Sequence, residues 1–488
     1  MVLFFIEMWE RYNYYGMRAI LVLFMTKAML YDKVFASNLY GSYNSLVYLT
    51  PLIGGYISDR YWGNKRSIAS GCIVMALGEF VLFFCGLYYY SNPELSSMLF
   101  FTGLGLMVAG NGFFKPNNSS MVGQLYPKGD TRVDSAYTIF YMGINVGAAL
   151  GPVVCGLVGD TGNPADFKWA FLAGGIGMLF SVIIQRLFHN KYVRDSDGKI
   201  LGLTPEGTRK IIVNPIFIIT GFAVLSFTII CLLYIDVKVV NYLGYLLFGA
   251  LLLAILIIFG DKKLTFNEKQ RIAVIFIVSF FVIFFWSAYE QAGASLTFFA
   301  DEQTNRDIGI FHIPASLFQS LNSVFIVILA PLFAWLWMKL GKKDPSPPYK
   351  MAVGLLFLSA GFLWIAFGVN NVNTGVKVSM IWLTGLYFLH TCGELCLSPI
   401  GLSMVSKLAP FRFASLLMAV WFLANASANK LSGVLSALYP DNRTTSFLGY
   451  QITNMYDFFM LFVVMSGVVA LILLMLSGRL KLMLHVNE

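Results

Sequence analysis

"FFIEMWERYNYYGMRAILVLF", residues 4–24, is apolar enough to enter lipid yet carries Glu7, Glu10, Arg11 and Arg18. A charge facing lipid costs about 2.5–3.5 kcal/mol at the bilayer centre on insertion scales, so the reading of this stretch decides the rest. Around it the theme repeats. Of the 488 residues, 58% are hydrophobic and 12% charged, roughly half the charge of a soluble domain. Apolar runs of about 20 residues, long enough to cross a roughly 30 Å hydrocarbon core, recur from end to end. The chain reads as an all-α polytopic membrane protein.

Spans are expected at about 2–28, 38–58, 67–90, 97–123, 134–158, 168–189, 211–233, 240–259, 270–299, 314–340, 350–369, 376–398, 411–437 and 453–477, fourteen in all. The first run is interrupted by charges and simply continues as a span, so it is no cleavable signal peptide. It starts almost at residue 1, which leaves open whether a short lead precedes it. Residues 1–189 and 260–488 read as two six-helix bundles. Between them lie a polar linker, 190–210, and a two-helix insertion, 211–259, almost free of polar residues and expected to face lipid as a lateral hairpin.

The net charge of +9 does not point to nucleic acid, because of where the charges sit. Loops 59–66, 124–133, 186–210, 260–271, 339–350 and 407–412, with the C-terminal tail, hold most of the 34 Lys and Arg. The opposite loops hold only Lys27, Lys33, Lys168, Lys238, Arg306, Lys377 and Arg443. The positive-inside rule makes the first set cytoplasmic, and an even number of spans puts both termini there. A multi-pass protein of the cell membrane is expected, functional as a monomer. The six Cys fall within spans at no metal-ligand spacing and read as packing residues; no metal or cofactor is expected.

Arg11, Arg18, Lys115 and Lys430 lie within spans, as do Glu7, Glu10, Glu79, Glu290 and Glu394. So nearly balanced a set is tolerable if the charges face one another across a polar cavity. At 100° per residue Glu7, Arg11, Tyr14 and Arg18 fall at about 0°, 40°, −20° and 20°, with Glu10 beside them at about −60°. The stripe is about 16 Å long. Glu7 and Arg11, one turn apart, can partly neutralise each other. An ion-pair ladder between helices would need neither the adjacent Tyr14 and Tyr15 nor an Arg two turns further on. Glu79 and Lys430 stand apart from this pattern and read as packing or cavity-rim residues, and His390 as a packing His.

"GGYISDRYWGNKR" (54–66) resembles the loop between the second and third helices of the major facilitator superfamily. "EMWERYNYYGMRAIL" (7–21), "FFKPNNSSMVGQLYP" (113–127) and "FYMGINVGA" (140–148) resemble signatures of one branch, the proton-dependent oligopeptide transporters. "FWSAYEQAGASL" (285–296), "SLFQSLNSVFI" (316–326), "GELCLSPIGLSMVSKLAP" (393–410) and "MAVWFLANA" (418–426) extend the likeness through the second bundle. The resemblance implies the major facilitator fold and proton-coupled symport of di- and tripeptides by alternating access, driven by the proton gradient.

By the same resemblance Arg18 and Lys115 receive the peptide carboxylate, and Asn145 and Asn322 bind its backbone. Glu394 meets its ammonium. Tyr14, Tyr15, Tyr48, Trp286 and Trp421 line side-chain pockets. Glu7, Glu10 and Arg11, with Glu290 paired to Lys115, couple proton movement. The second span lacks the His that animal relatives use, and Tyr289 stands where some bacterial relatives have a second Glu. A short peptide is a zwitterion, so a cation cluster and a carboxylate can grip its ends whatever side chains lie between.

The alternative is the same fold moving another small anion or zwitterion, such as nitrate, but a simple anion needs no ammonium-binding Glu394. An enzyme is disfavoured, since no His-Glu-x-x-His, Gly-x-Ser-x-Gly or paired intramembrane Asp is present. A channel is disfavoured because charges spread unequally over dissimilar halves form no ring.

Overall fold

Long apolar runs must close their backbone hydrogen bonds internally when no water is available, and here they close as helices. They are α1 (Val2–Leu23), α2 (Lys33–Ile57), α3 (Asn64–Tyr88), α4 (Pro93–Gln124), α5 (Arg132–Gly159), α6 (Phe167–Tyr192), α7 (Pro215–Lys238) and α8 (Tyr242–Phe259). They continue as α9 (Phe266–Tyr289), α10 (Ser295–Glu302), α11 (Ser320–Leu340), α12 (Pro347–Val369), α13 (Met380–Leu408), α14 (Ala414–Ser436) and α15 (Met455–Met483). This computed structural model describes residues 1–484 except 128, 129, 131, 206, 209–213, 239–241, 262, 310, 371, 373, 374, 411, 412 and 442. Side chains at 134, 238, 342, 399, 400, 402, 403, 406, 407, 414 and 415 are also outside the description. Of the loop cations, Lys128, Arg209, Lys210, Lys262 and Arg412 fall outside the described residues.

Eleven of the described helical segments are long and apolar enough to cross a membrane; α1, α2 and α14 are not among them. The reason is polarity, and it is buried polarity. Glu7, Glu10 and Arg11 on α1, Ser42, Asn44 and Ser45 on α2, and Asn425, Asn429 and Lys430 on α14 are all buried. The two helices of the insertion show the reverse: α7 and α8 are apolar and mostly exposed, as helices bathed in lipid would be.

Contacts divide the chain into two compact units. Unit 1 comprises 1–32, 46–240 and 314–323; unit 2 comprises 33–45, 241–313 and 324–488. Helix α7 packs on α4 in unit 1, and α8 on α14 in unit 2. Within unit 1, α1 lies against α5 and α6, and α3 against α4. Small residues permit the close approaches: a Cβ on Gly147 would sit 2.2 Å from the Met8 carbonyl oxygen.

The ninth expected span, 270–299, is not one continuous helix. After Tyr289 the chain narrows to a 3₁₀ turn, Glu290–Gly293, and resumes as α10 after Ala294. Broken backbone at membrane depth is tolerated where protein satisfies it, and here Gln291 does so. Its Nε2 donates to the Ser287 and Ser432 carbonyls at 3.0 and 3.1 Å. Its Oε1 accepts from Ser295 at 2.5 Å and Ser436 at 2.7 Å.

The segment following α6 is folded rather than trailing. Arg194 and Ile200 form an antiparallel bridge, and Asp195 Oδ1 accepts from the Asp197 and Lys199 amides at 2.9 and 2.8 Å. The loop then docks on the α2–α3 turn, where Lys65 N donates to the Gly202 carbonyl at 2.9 Å. Both Gly63 and Gly202 have positive φ, and a Cβ on Gly63 would lie 2.4 Å from the Leu203 carbonyl oxygen. No other residue fits there.

Candidate functional site

In unit 1 the opening stripe forms a buried ionic knot. Arg11 Nε lies 2.8 Å from Glu7 Oε1 and 3.0 Å from Glu10 Oε2. The remaining carboxylate oxygens are taken by α4: Asn118 Nδ2 donates to Glu7 Oε2 at 2.7 Å, and Asn111 Nδ2 to Glu10 Oε1 at 2.8 Å. Two carboxylates thus share one guanidinium. With both ionised the knot holds one negative charge in excess in a water-poor interior, so a single proton neutralises it.

The rest of the stripe borders this knot. Tyr14 and Tyr15 meet edge to face at 5.2 Å, and Arg18 Cζ stands 5.7 Å from the Tyr15 ring centroid. Lys115 Nζ lies 4.0 Å from the Tyr48 ring centroid, a cation–π contact between α4 and α2. Asn145 is buried, with its Nδ2 donating to the Tyr141 carbonyl at 2.9 Å. Asn322, in the first turn of α11, also belongs to unit 1.

Unit 2 holds Trp286, Glu290, Glu394 and Trp421. Glu290 is buried at the break between α9 and α10. Glu394, on α13, accepts a hydrogen bond from the Tyr289 hydroxyl. Trp286 packs edge-on against Tyr289 at 5.1 Å. Trp421 lies across α13 where a Cβ on Gly401 would come within 2.3 Å of its ring, so Gly401 is what admits the indole. His390 is wedged beside Phe362, ring centroids 4.7 Å apart, and hydrogen-bonds the Leu358 carbonyl. Its surroundings are those of a buried packing residue.

Several residues of these sites escape a reading by charge alone. Asn111 and Asn118 hold the two carboxylates, and Gln291 ties the break beside Glu290. Their signal is spacing: Asn111 and Asn118 are seven residues apart, two turns along one face. The charges that stood apart are also placed. Glu79 Oε1 accepts from Asn13 Nδ2 at 2.7 Å in unit 1, and Lys430 Nζ donates to Ser42 Oγ at 2.8 Å in unit 2. Both pack helices.

Similar proteins were found at the level of family, sequence and fold. The family model described as the POT family matches residues 65–455. A peptide transporter of Yersinia enterocolitica is 35% identical over 89% of this chain and 86% of its own. A di-/tripeptide transporter of Lactococcus lactis is 33% identical over 90% and 89%. A crystal structure of a mutant POT peptide transporter in complex with alafosfalin superposes with a TM-score of 0.84 at 32% identity, covering 99% of this chain and 94% of that one. The likeness spans both bundles and the major facilitator fold expected from the sequence. The chain belongs to the POT family.

Proposed function

We propose that this protein is a proton-coupled symporter of di- and tripeptides, working by alternating access in the cell membrane with both termini in the cytoplasm. The knot of Glu7, Glu10 and Arg11 carries the proposal. Two acids sharing one base form a site that is neutral with one proton bound and carries one negative charge in excess without it, the change of charge that proton coupling needs. The names of the similar transporters support the substrate class. Arg18 and Lys115 then receive the peptide carboxylate, Glu394 the ammonium, and Asn145 and Asn322 the backbone. Tyr14, Tyr15, Tyr48, Trp286 and Trp421 offer aromatic walls that tolerate varied side chains, while Glu290 works with Glu7, Glu10, Arg11 and Lys115 in proton coupling.

The test is uptake of labelled dialanine into proteoliposomes with and without an inward proton gradient. Gradient-driven accumulation, lost in Glu394→Ala and Lys115→Ala, is expected. No signal above empty liposomes from folded protein overturns the peptide reading, and nitrate transport by the same sample would replace it.

A further inference from the structure

The docked segment after α6 closes a cavity of about 350 Å³ at one end of unit 1, within the roughly 300–1,000 Å³ range of small-molecule sites. Lys65 and Arg66 of α3 and Arg186 of α6 line it, with Gln185, Asn190 and Thr204 as neutral partners. Among the described residues that line it there is no carboxylate. Its walls are fixed. Lys65 Nζ donates to Asn190 Oδ1 at 2.6 Å, Arg66 Nη1 to Thr204 Oγ1 at 3.2 Å, and Thr204 Oγ1 to the Trp62 carbonyl at 3.3 Å. Three cations around one void, two of them held by these bonds and Arg186 exposed beside them, without a lining acid make a site for an anion.

A second observation says what kind. Trp62, buried with its indole N–H lacking a hydrogen-bond partner, also walls an apolar groove of about 390 Å³ lined by Ile53, Ile57, Phe113, Phe217 and Gly221. Ile183 and Leu187, which flank Arg186 on α6, are exposed to the surroundings. A basic cavity and an apolar groove sharing one tryptophan wall suit an amphiphile. A free phosphate would use only the first. We propose that the cavity binds the phosphate of an anionic phospholipid, with an acyl chain along the groove between α2 and α7. Basic pockets at the ends of membrane helices recognise such headgroups by this chemistry.

The experiment measures thermal unfolding and native mass spectra of the purified full chain in detergent, with phosphatidylglycerol, phosphatidylcholine or inorganic phosphate added separately. Phosphatidylglycerol is expected to raise the midpoint and remain bound in the spectrum, the other two to do little. Arg186→Gln removes an exposed cation and should weaken phosphatidylglycerol binding roughly fivefold. Gly221→Phe, whose side chain enters open space in the groove, should weaken it while leaving the lipid-free midpoint near the parent's. An equal response to phosphatidylcholine overturns the headgroup assignment. A response to inorganic phosphate as large as to the lipid overturns the lipid source. Unaltered phosphatidylglycerol binding in both variants overturns the site.

Discussion

The hydroxyl of Tyr289 donates a hydrogen bond to Glu394, so the carboxylate proposed to meet the peptide ammonium is already oriented by a neutral donor. The ring is held for that task, stacked on Phe285 at 5.7 Å and edge-on to Trp286 at 5.1 Å. Removing a hydrogen bond to a charged group costs about 1.5–3 kcal/mol. Tyr289→Phe keeps the ring contacts and is expected to raise the KM for dipeptide roughly tenfold or more, with the unfolding midpoint little changed. A lowered KM would show instead that the phenol competes with the ammonium for Glu394.

The Glu7–Glu10–Arg11 knot predicts a non-additive mutant series. Arg11→Met leaves two buried acids without their cation, and breaking one side of a buried pair costs about 3–5 kcal/mol. Adding Glu7→Gln and Glu10→Gln removes the stranded charges, so the triple variant should recover most of that loss in thermal unfolding. It should not recover gradient-driven accumulation, because no proton-binding acid remains in the knot. Peptide exchange across liposomes without a gradient is expected to persist. A triple variant that still accumulates peptide against a gradient would falsify the assignment of the knot to coupling.

The stripe on α1 was legible in the sequence because helical spacing alone sets it, and Glu7 and Arg11 meet as their one-turn separation suggested. What spacing could not supply was the partner on the next helix: Asn111 and Asn118 are ordinary polar residues until α4 is placed against α1. The break at Glu290–Gly293 was equally hidden. "EQAGAS" has no proline, and only the set of hydrogen bonds from Gln291 to α14 shows why the helix stops. Residues 193–204 read as a linker because they are polar, yet the requirement for Gly63 and Gly202 at a backbone contact belongs to the fold and not to composition.

Gln291 should therefore be as critical to stability as any charge. Gln291→Leu removes one hydrogen bond from each of the Ser287 and Ser432 carbonyls and the acceptor of the Ser295 and Ser436 hydroxyls. At about 1–3 kcal/mol for each buried group left unsatisfied, a loss of about 2–4 kcal/mol is expected after the hydroxyls reorient. Ser436→Ala, which deletes a single donor, should cost about 1 kcal/mol. Detergent-solubilised unfolding followed by tryptophan fluorescence ranks the two, and an equal effect would mean that Gln291 is not the tie.

A last prediction concerns the approach of α2 to α14 within unit 2. A Cβ on Gly433 would stand 2.6 Å from the Ser37 carbonyl oxygen and 2.8 Å from Gly41 Cα. Both obstacles are backbone, so neither can swing aside and the helices must separate. Gly433→Ala is expected to destabilise the protein by about 1–3 kcal/mol. It should also reduce uptake, because the 2.8 Å bond from Lys430 to Ser42 lies one turn away. Gly221→Ala is the contrasting case. It meets nothing within 4 Å and replaces a helical glycine, so it should stabilise by up to about 1 kcal/mol. The pair is read by comparing unfolding midpoints and dipeptide uptake in the two variants; a Gly433→Ala protein as stable and as active as its parent would show that α2 and α14 need not touch.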